Sequence, residues 1–266
     1  MKGVFILELF DSHSHIEMPR LYPSAAAVVK RAKAAGVIGV VVSPIEPKFY
    51  TKALDLVERF PGYIWATFGL HPPRTTPRTV KQCIRLIREH SERILAIGEV
   101  GLDYYWEKSE QKRELQRHHF IEFIRLADEL ELPLVVHSRE AEADAIRILK
   151  EEQATRLQLH CFNDSSLVAE AASENWFMSV PTSVVSRRRM QRIAQMMPLA
   201  NMLLETDAPW LAPQPRQQNE PANLPLAVAK IAELQETTEE VVAESTTKNA
   251  LELFNLELYK GKVQRR

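Results

Sequence analysis

The sequence predicts a single (β/α)8 TIM barrel of the α/β class, with its chemistry at the C-terminal ends of the strands. Three observations predict it. Short apolar runs alternate with amphipathic helical stretches eight times over. Within the runs, apolar and polar residues do not alternate, as expected of parallel strands covered on both faces. The chain has 266 residues, close to the length of about 250 typical of one such barrel.

Each element can be taken in order. Residues 4–10 read as the first strand and 24–35 as the first helix. The β-branched run 37–43 is the second strand, followed by a helix at 48–60. The third pair is 63–68 and 79–90. The fourth strand, 94–98, precedes a long helix at 110–130, with Leu115, Phe120, Phe123, Ile124 and Ala127 at helical spacing. The remaining strands are 134–137, 157–160, 177–180 and 202–205, and their helices are 142–152, 166–175, 187–197 and 224–233. A last helix at 239–254 closes the chain. Residues 1–258 form one domain in this reading, and the basic tail 259–266 is expected to fray. The Pro-rich stretches 72–77 and 209–225 each follow a strand end, so they read as stiff rim loops and not as domain joints.

Composition excludes several classes. With 45% hydrophobic and 26% charged residues and a net charge of −1, this is an ordinary globular chain. Its charge balance does not suit binding long nucleic acid over the whole surface, so any grip on nucleic acid must be local. Two cysteines, Cys83 and Cys161, make no disulfide scaffold, and the expected compartment is the reducing cytoplasm. No run reaches the roughly 20 apolar residues that span a bilayer, so no membrane association is expected. The N-terminus lacks a small-residue cleavage site and reads as a buried strand.

The chemistry emerges when His and acidic residues are marked against the strands. Asp11, His13 and His15 end the first strand and His71 follows the third. Glu99 ends the fourth, His137 the fifth and His160 the sixth, while Glu205 and Asp207 end the eighth. In a parallel barrel these ends converge on one rim. Five of the eight histidines (His13, His15, His71, His137 and His160) fall there. A lone strand-end histidine is more often structural, but so many converging at one rim are not. Residues two apart on a strand point the same way, so His13 and His15 can reach one cation. Imidazole with carboxylate suits Zn or Mn, and sites that keep waters admit Mg. Glu99, flanked by Gly98 and Gly101, can bridge two ions.

The expected division puts His13, His15, Glu99 and Asp207 on one ion and Glu99, His137 and His160 on the other, two divalent ions per chain. Asp207 also stands to accept a proton, and Glu99 and Asp207 are the expected catalytic residues. Asp11, Asp103 and Glu205 are expected to orient ligands from behind. His71, Arg74 and Arg139 are candidates for holding substrate, the arginines as clamps on an oxyanion. Tyr104, Tyr105 and Trp210 could stack on bases or simply pack their loops, and Arg187-Arg188-Arg189 with Arg192 reads first as a solvated helix face. His90, His118 and His119 fall within helices and are expected at the surface.

The chain resembles the TatD family of metal-dependent hydrolases, within the amidohydrolase superfamily. The resemblance rests on Asp11-Ser12-His13-Ser14-His15, Phe68-Gly69-Leu70-His71-Pro72 and Ile97-Gly98-Glu99-Val100-Gly101-Leu102-Asp103-Tyr104-Tyr105. It continues in Leu132 to Arg139, His160-Cys161-Phe162, and Leu203 to Pro213. It implies one to three divalent cations and a 3′→5′ deoxyribonuclease activity. Residue by residue, the implied ligands are His13, His15, Glu99, His137, His160 and Asp207, with His71 near the substrate phosphate. Asn163-Asp164 and Pro181-Thr182-Ser183 depart from the family pattern on the active rim. The alternative is hydrolysis of a small-molecule ester, amide or phosphoester on the same site. The expected partner is thus DNA, at short or single-stranded ends, or a small molecule, and the expected state is a monomer.

Overall fold

The computed structural model describes residues 7–266. Eight strands form one parallel sheet in sequence order. They are β1 (Leu9–Ser14), β2 (Val37–Val42), β3 (Ile64–Phe68), β4 (Ala96–Asp103), β5 (Leu134–Arg139), β6 (Leu157–Leu159), β7 (Phe177–Pro181) and β8 (Met202–Glu205). The helices between them are α1 (Ala25–Ala34), α2 (Tyr50–Arg59), α3 (Pro77–Glu89), α4 (Glu110–Glu129), α5 (Glu142–Glu151), α6 (Val168–Ser173) and α7 (Arg188–Met196). After β8 come α8 (Leu224–Leu234) and α9 (Glu239–Leu253).

The sheet curls until its first and last strands meet. Asp207 N–H donates to the His13 carbonyl at 2.9 Å, and His15 N–H to the Ala208 carbonyl at 2.7 Å. Both bonds lie at the C-terminal rim, so the act of closure sets the geometry of the rim.

One apolar cluster joins the outer strand faces to the helices; a second closes the N-terminal end of the barrel. Phe10, Val41, Val135 and Leu203 belong to the latter, with Phe254 and Val263 from the end of the chain. Gly39 makes room there, since a Cβ at that position would come within 2.4 Å of the Phe10 ring. Above this floor lies a buried polar layer. Gln158 Nε2 donates to Ser12 Oγ at 3.0 Å and to Ser179 Oγ at 3.0 Å, and Ser179 Oγ donates to Glu205 Oε2 at 2.6 Å. These side chains point inward from β1, β6, β7 and β8, and they carry the site above them.

Four local expectations change. The first strand was expected at 4–10, of which 4–6 lie outside the described residues, and the observed β1 begins at Leu9. The fourth was expected to end at residue 98, but β4 continues to Asp103, putting Glu99 inside the strand. Its register against β5 slips between Gly98 and Val100, leaving Glu99 as the extra residue of a bulge, a device that re-aims a side chain. The tail does not fray: β9 (Leu256–Tyr259) and β10 (Lys262–Arg265) pair as an antiparallel hairpin, with Val263 buried beneath the barrel. His119 is buried on α4, because it falls on the apolar stripe with Phe120 and Phe123.

Candidate metal centre and catalytic cleft

Glu99 is the hub of the rim. Its Oε2 lies 3.6 Å from His13 Nε2, 3.7 Å from His137 Nδ1 and 3.7 Å from His160 Nε2, and its Oε1 lies 3.9 Å from His71 Nε2. Asp207 Oδ1 stands 3.1 Å from His15 Nε2 and 3.8 Å from His13 Nε2. His13 and His15 present their Nε2 atoms to each other at 3.1 Å. Three strands (β1, β4 and β5) and the loops after β1, β3, β6 and β8 thus bring together residues far apart in sequence. Gly101 permits one of these approaches: its φ is +139°, and a Cβ there would lie 2.1 Å from the His137 carbonyl.

The donor set fits divalent metal. Most of the separations around Glu99 exceed a hydrogen bond, but two donors each bonded at about 2.0–2.2 Å to one ion stand about 3–4 Å apart. Three groups of donor atoms gather within 4.8 Å: His13, His15 and Glu99; His13, His160 and Asp207; and His71, Glu99 and His137. Behind them, carboxylates face the outward ring nitrogens, two of them at hydrogen-bond distance. His137 Nε2 lies 3.0 Å from Asp103 Oδ2 and His160 Nδ1 2.8 Å from Glu205 Oε2. His15 Nδ1 lies 3.6 Å from Glu17 Oε1. Such outer carboxylates fix the tautomer and aim the other nitrogen at a cation.

Two opposing trends run through the cluster. Against burial, Asp207 and Glu17 raise the pKa of His15, Asp103 and Glu99 raise that of His137 to about 9, and Glu205 raises that of His160, whereas those of Glu99, His71 and His13 are lowered. Burial works against the Glu99 carboxylate, yet the imidazoles of His137, His71 and His13 outweigh it and hold its pKa well below the usual range. Burial, reinforced by His137, lowers His71 to about 4, so this ring is neutral at physiological pH. Burial lowers His13 as well, aided by His160 and His15, and leaves its neutral, ligating form favoured.

The expected site residues sort as follows. His13, His15, Glu99, His137, His160 and Asp207 converge, and His71 joins them. The donor atoms also form groupings that the expected division does not name: His160 stacks on His13 with ring centroids 3.7 Å apart, and His71 groups with Glu99 and His137. Asp103 and Glu205 stand behind histidines. Asp11 does not touch a candidate ligand's side chain: its oxygens accept from Thr206 N–H at 2.8 Å and Thr206 Oγ1 at 2.6 Å, and from His13 N–H at 3.4 Å. The β1–β2 register explains this. Three steps along β1, from Asp11 to Ser14, face two along β2, from Val40 to Val42, so alternation does not carry Asp11 to the side that His13 occupies.

A cleft of about 800 Å³ opens above the cluster. Arg74 and Arg139 line it. Arg74 is partly engaged by Glu46 at 3.3 Å, and Arg139 lies flat on the Tyr105 ring at 3.6 Å. Arg187 also lines the cleft, so the basic run is more than a solvated face. Tyr104 is taken up in packing: its hydroxyl donates to Asp144 Oδ2 at 2.7 Å and accepts from Arg117 at 2.8 Å. Trp210 sets its ring edge to His15 at 5.0 Å.

Sequence reasoning missed Glu17, the polar layer of Ser12, Gln158 and Ser179, and the cleft residues Arg20 and Trp106. Glu17 had a signal, because it continues the two-residue spacing of His13 and His15. Gln158 had a weaker one, a polar residue two positions before His160 in an apolar strand. Arg20 and Trp106 had none, since loop positions carry no periodicity.

A family model described as TatD related DNase matches residues 10–255. The chain is 35% identical over 257 residues to the uncharacterized metal-dependent hydrolase YabD of Bacillus subtilis, covering 93% of this chain and 99% of that one. It is 34% identical over 261 residues to the 3′-5′ ssDNA/RNA exonuclease TatD of Erwinia tasmaniensis, covering 93% of this chain and 100% of that one. Among solved structures, the TatD homolog YJJV from Escherichia coli superposes with a TM-score of 0.86 at 25% identity, over 95% of this chain and 100% of that one.

Proposed function

The chain belongs to the TatD-related DNase family and is a metal-dependent hydrolase, and from that premise we propose that it removes nucleotides from the 3′ end of single-stranded DNA. The observation that carries the proposal is the convergence of five imidazoles and the Asp207 carboxylate around Glu99, at the floor of a cleft lined with arginines. The name of the Erwinia relative supports the polarity and the single-stranded substrate.

His13, His15, Glu99 and Asp207 would hold one divalent cation, and Glu99, His137 and His160 a second, with Zn, Mg and Mn all compatible with these donors. Bound there, the cations supply Lewis acidity, lowering the pKa of water and offsetting charge on the phosphoryl oxygens. The protein's own groups do the rest. Asp207, part-exposed at the cleft floor, accepts the proton of the attacking water. His71, neutral and beside Glu99, hydrogen-bonds a phosphate oxygen. Arg139, stacked over Tyr105, offers its donor edge to a phosphate, and Arg74 assists from the loop after β3. All the residues come from one chain, so the site is complete without a second subunit. No helix among the described residues is long and apolar enough to cross a membrane. The two free cysteines support a reducing location such as the cytoplasm.

The test is digestion of end-labelled single-stranded DNA with added Mg, Mn or Zn and a chelator control. His137→Ala and Asp207→Ala each abolish the loss of 3′ nucleotides. Retained activity in either variant, or activity confined to small esters and amides, overturns the proposal.

A further inference from the structure

Trp106 is 64% exposed, more than any other large apolar side chain among the described residues. It is not on a loose loop. Its N–H donates to Asp103 Oδ1 at 2.8 Å, and the other oxygen of that carboxylate lies 3.0 Å from His137 Nε2. One carboxylate therefore ties the indole's backbone to the metal cluster. The neighbouring Tyr105 has one ring face covered by the Arg139 guanidinium at 3.6 Å. Tyr105 meets Trp106 edge-on, with centroids 4.9 Å apart, and props it. The indole lines the same cleft as Glu99 and His137.

Charge completes the picture. Arg139 lies 5.9 Å from the Trp106 ring, and stacking on Tyr105 leaves its N–H edge free. Among the described residues, Arg20, Arg139, Arg187 and Arg216 have no carboxylate within ion-pair distance, although all four line the cleft. An oriented cation and an open aromatic face a few ångströms apart match the two ends of one nucleotide, its phosphate and its base.

We propose that Trp106 forms a nucleobase subsite, stacking the base of the terminal nucleotide while Arg139 takes its phosphate. This rests on the nuclease reading above and names what that reading leaves open, the group that recognises a base. Because every base has a π-face, the subsite is tolerant of sequence. A base stacked between two neighbours in a duplex has neither face free for the indole.

The experiment compares wild type, Trp106→Ala and Trp106→Phe in the metal-loaded enzyme. The substrates are two single-stranded oligomers, one of ordinary nucleotides and one abasic at its 3′-terminal position. Trp106→Ala is expected to raise KM about tenfold on the ordinary oligomer, the size of one lost base–aromatic stack. On the abasic oligomer its effect should be at least several-fold smaller, and Trp106→Phe should restore most of the loss. Fluorescence anisotropy of a labelled oligomer in chelator gives the same ranking without turnover. Equal losses on both oligomers, or no loss on either, while wild type degrades both, overturn the subsite and leave the nuclease reading intact. If wild type degrades neither oligomer yet cleaves a small phosphodiester, the nuclease reading falls and the subsite with it.

Discussion

The main-chain N–H of Asp207 donates to the carbonyl of His13 at 2.9 Å, while Oδ1 of the same aspartate stands 3.8 Å from Nε2 of the same histidine. One bond between the last strand's end and the first thus closes the barrel and spaces two groups of the site. Asp207 adopts φ +53° to make it, a left-handed conformation that aspartate tolerates better than most residues. Asp207→Asn keeps the backbone bond and the shape but removes the proton acceptor. Turnover should fall by about 10²–10⁴-fold, the usual contribution of a positioned acid or base. The unfolding midpoint should stay within a few degrees. Undiminished kcat in a correctly folded Asn variant would show that another group takes the proton.

Glu17 is fully buried, neither of its carboxylate oxygens has a hydrogen-bond partner among the described residues, and Oε1 lies 3.6 Å from His15 Nδ1. A buried carboxylate without a donor is costly, and a proton on His15 Nδ1, 3.6 Å away, offsets that cost. Glu17→Gln should weaken divalent-metal affinity by about 10–100-fold, the range measured for such outer carboxylates. Competition against a chromogenic chelator measures this directly. An affinity equal to wild type would reduce Glu17 to a packing residue.

Metal should act on stability as well as on chemistry. The folded chain gathers the donors, whereas the unfolded chain scatters them. A cation present at 100 times its Kd therefore adds about 2.7 kcal/mol to folding. For a chain of this size that is a rise of about 5–10 °C in the unfolding midpoint when Zn or Mn is returned to chelator-treated protein. His137→Ala should show a much smaller rise at the same metal concentration. Identical shifts in the two proteins would place the binding cation elsewhere.

The floor of the barrel should respond independently of the rim. Phe10→Ala removes a fully buried ring and should cost about 3–5 kcal/mol in chemical denaturation. Gly39→Ala drives a Cβ to 2.4 Å from that ring and should cost about 1–3 kcal/mol by overpacking. In a Phe10→Leu background most of the Gly39→Ala penalty should vanish, because the two positions compete for one volume. Metal affinity should be unchanged, since the polar layer of Ser12, Gln158 and Ser179 separates floor from rim. Additive costs in the double variant would deny the direct contact.

Sequence by itself determined the barrel, because eight apolar runs too short and too uniform for surface strands must be buried on both faces, and helices must cover them. It also determined which residues meet. A parallel sheet sends every strand's C-terminal end to one rim, so His13, His15, Glu99, His137, His160 and Asp207 could be named from their positions along the chain. Tertiary structure alone decided how their side chains stand against one another. The bulge at Glu99 and the register slip in β1 turn side chains away from simple alternation, which is why His71 joins Glu99 and His137, why His160 lies on His13, and why Asp11 is spent on Thr206. It alone decided the cleft's walls too. Whether a loop tryptophan such as Trp106 faces the cleft or packs, and whether Arg139 is paired or lies on Tyr105, depends on contacts between loops far apart in sequence, and no period in the chain encodes them.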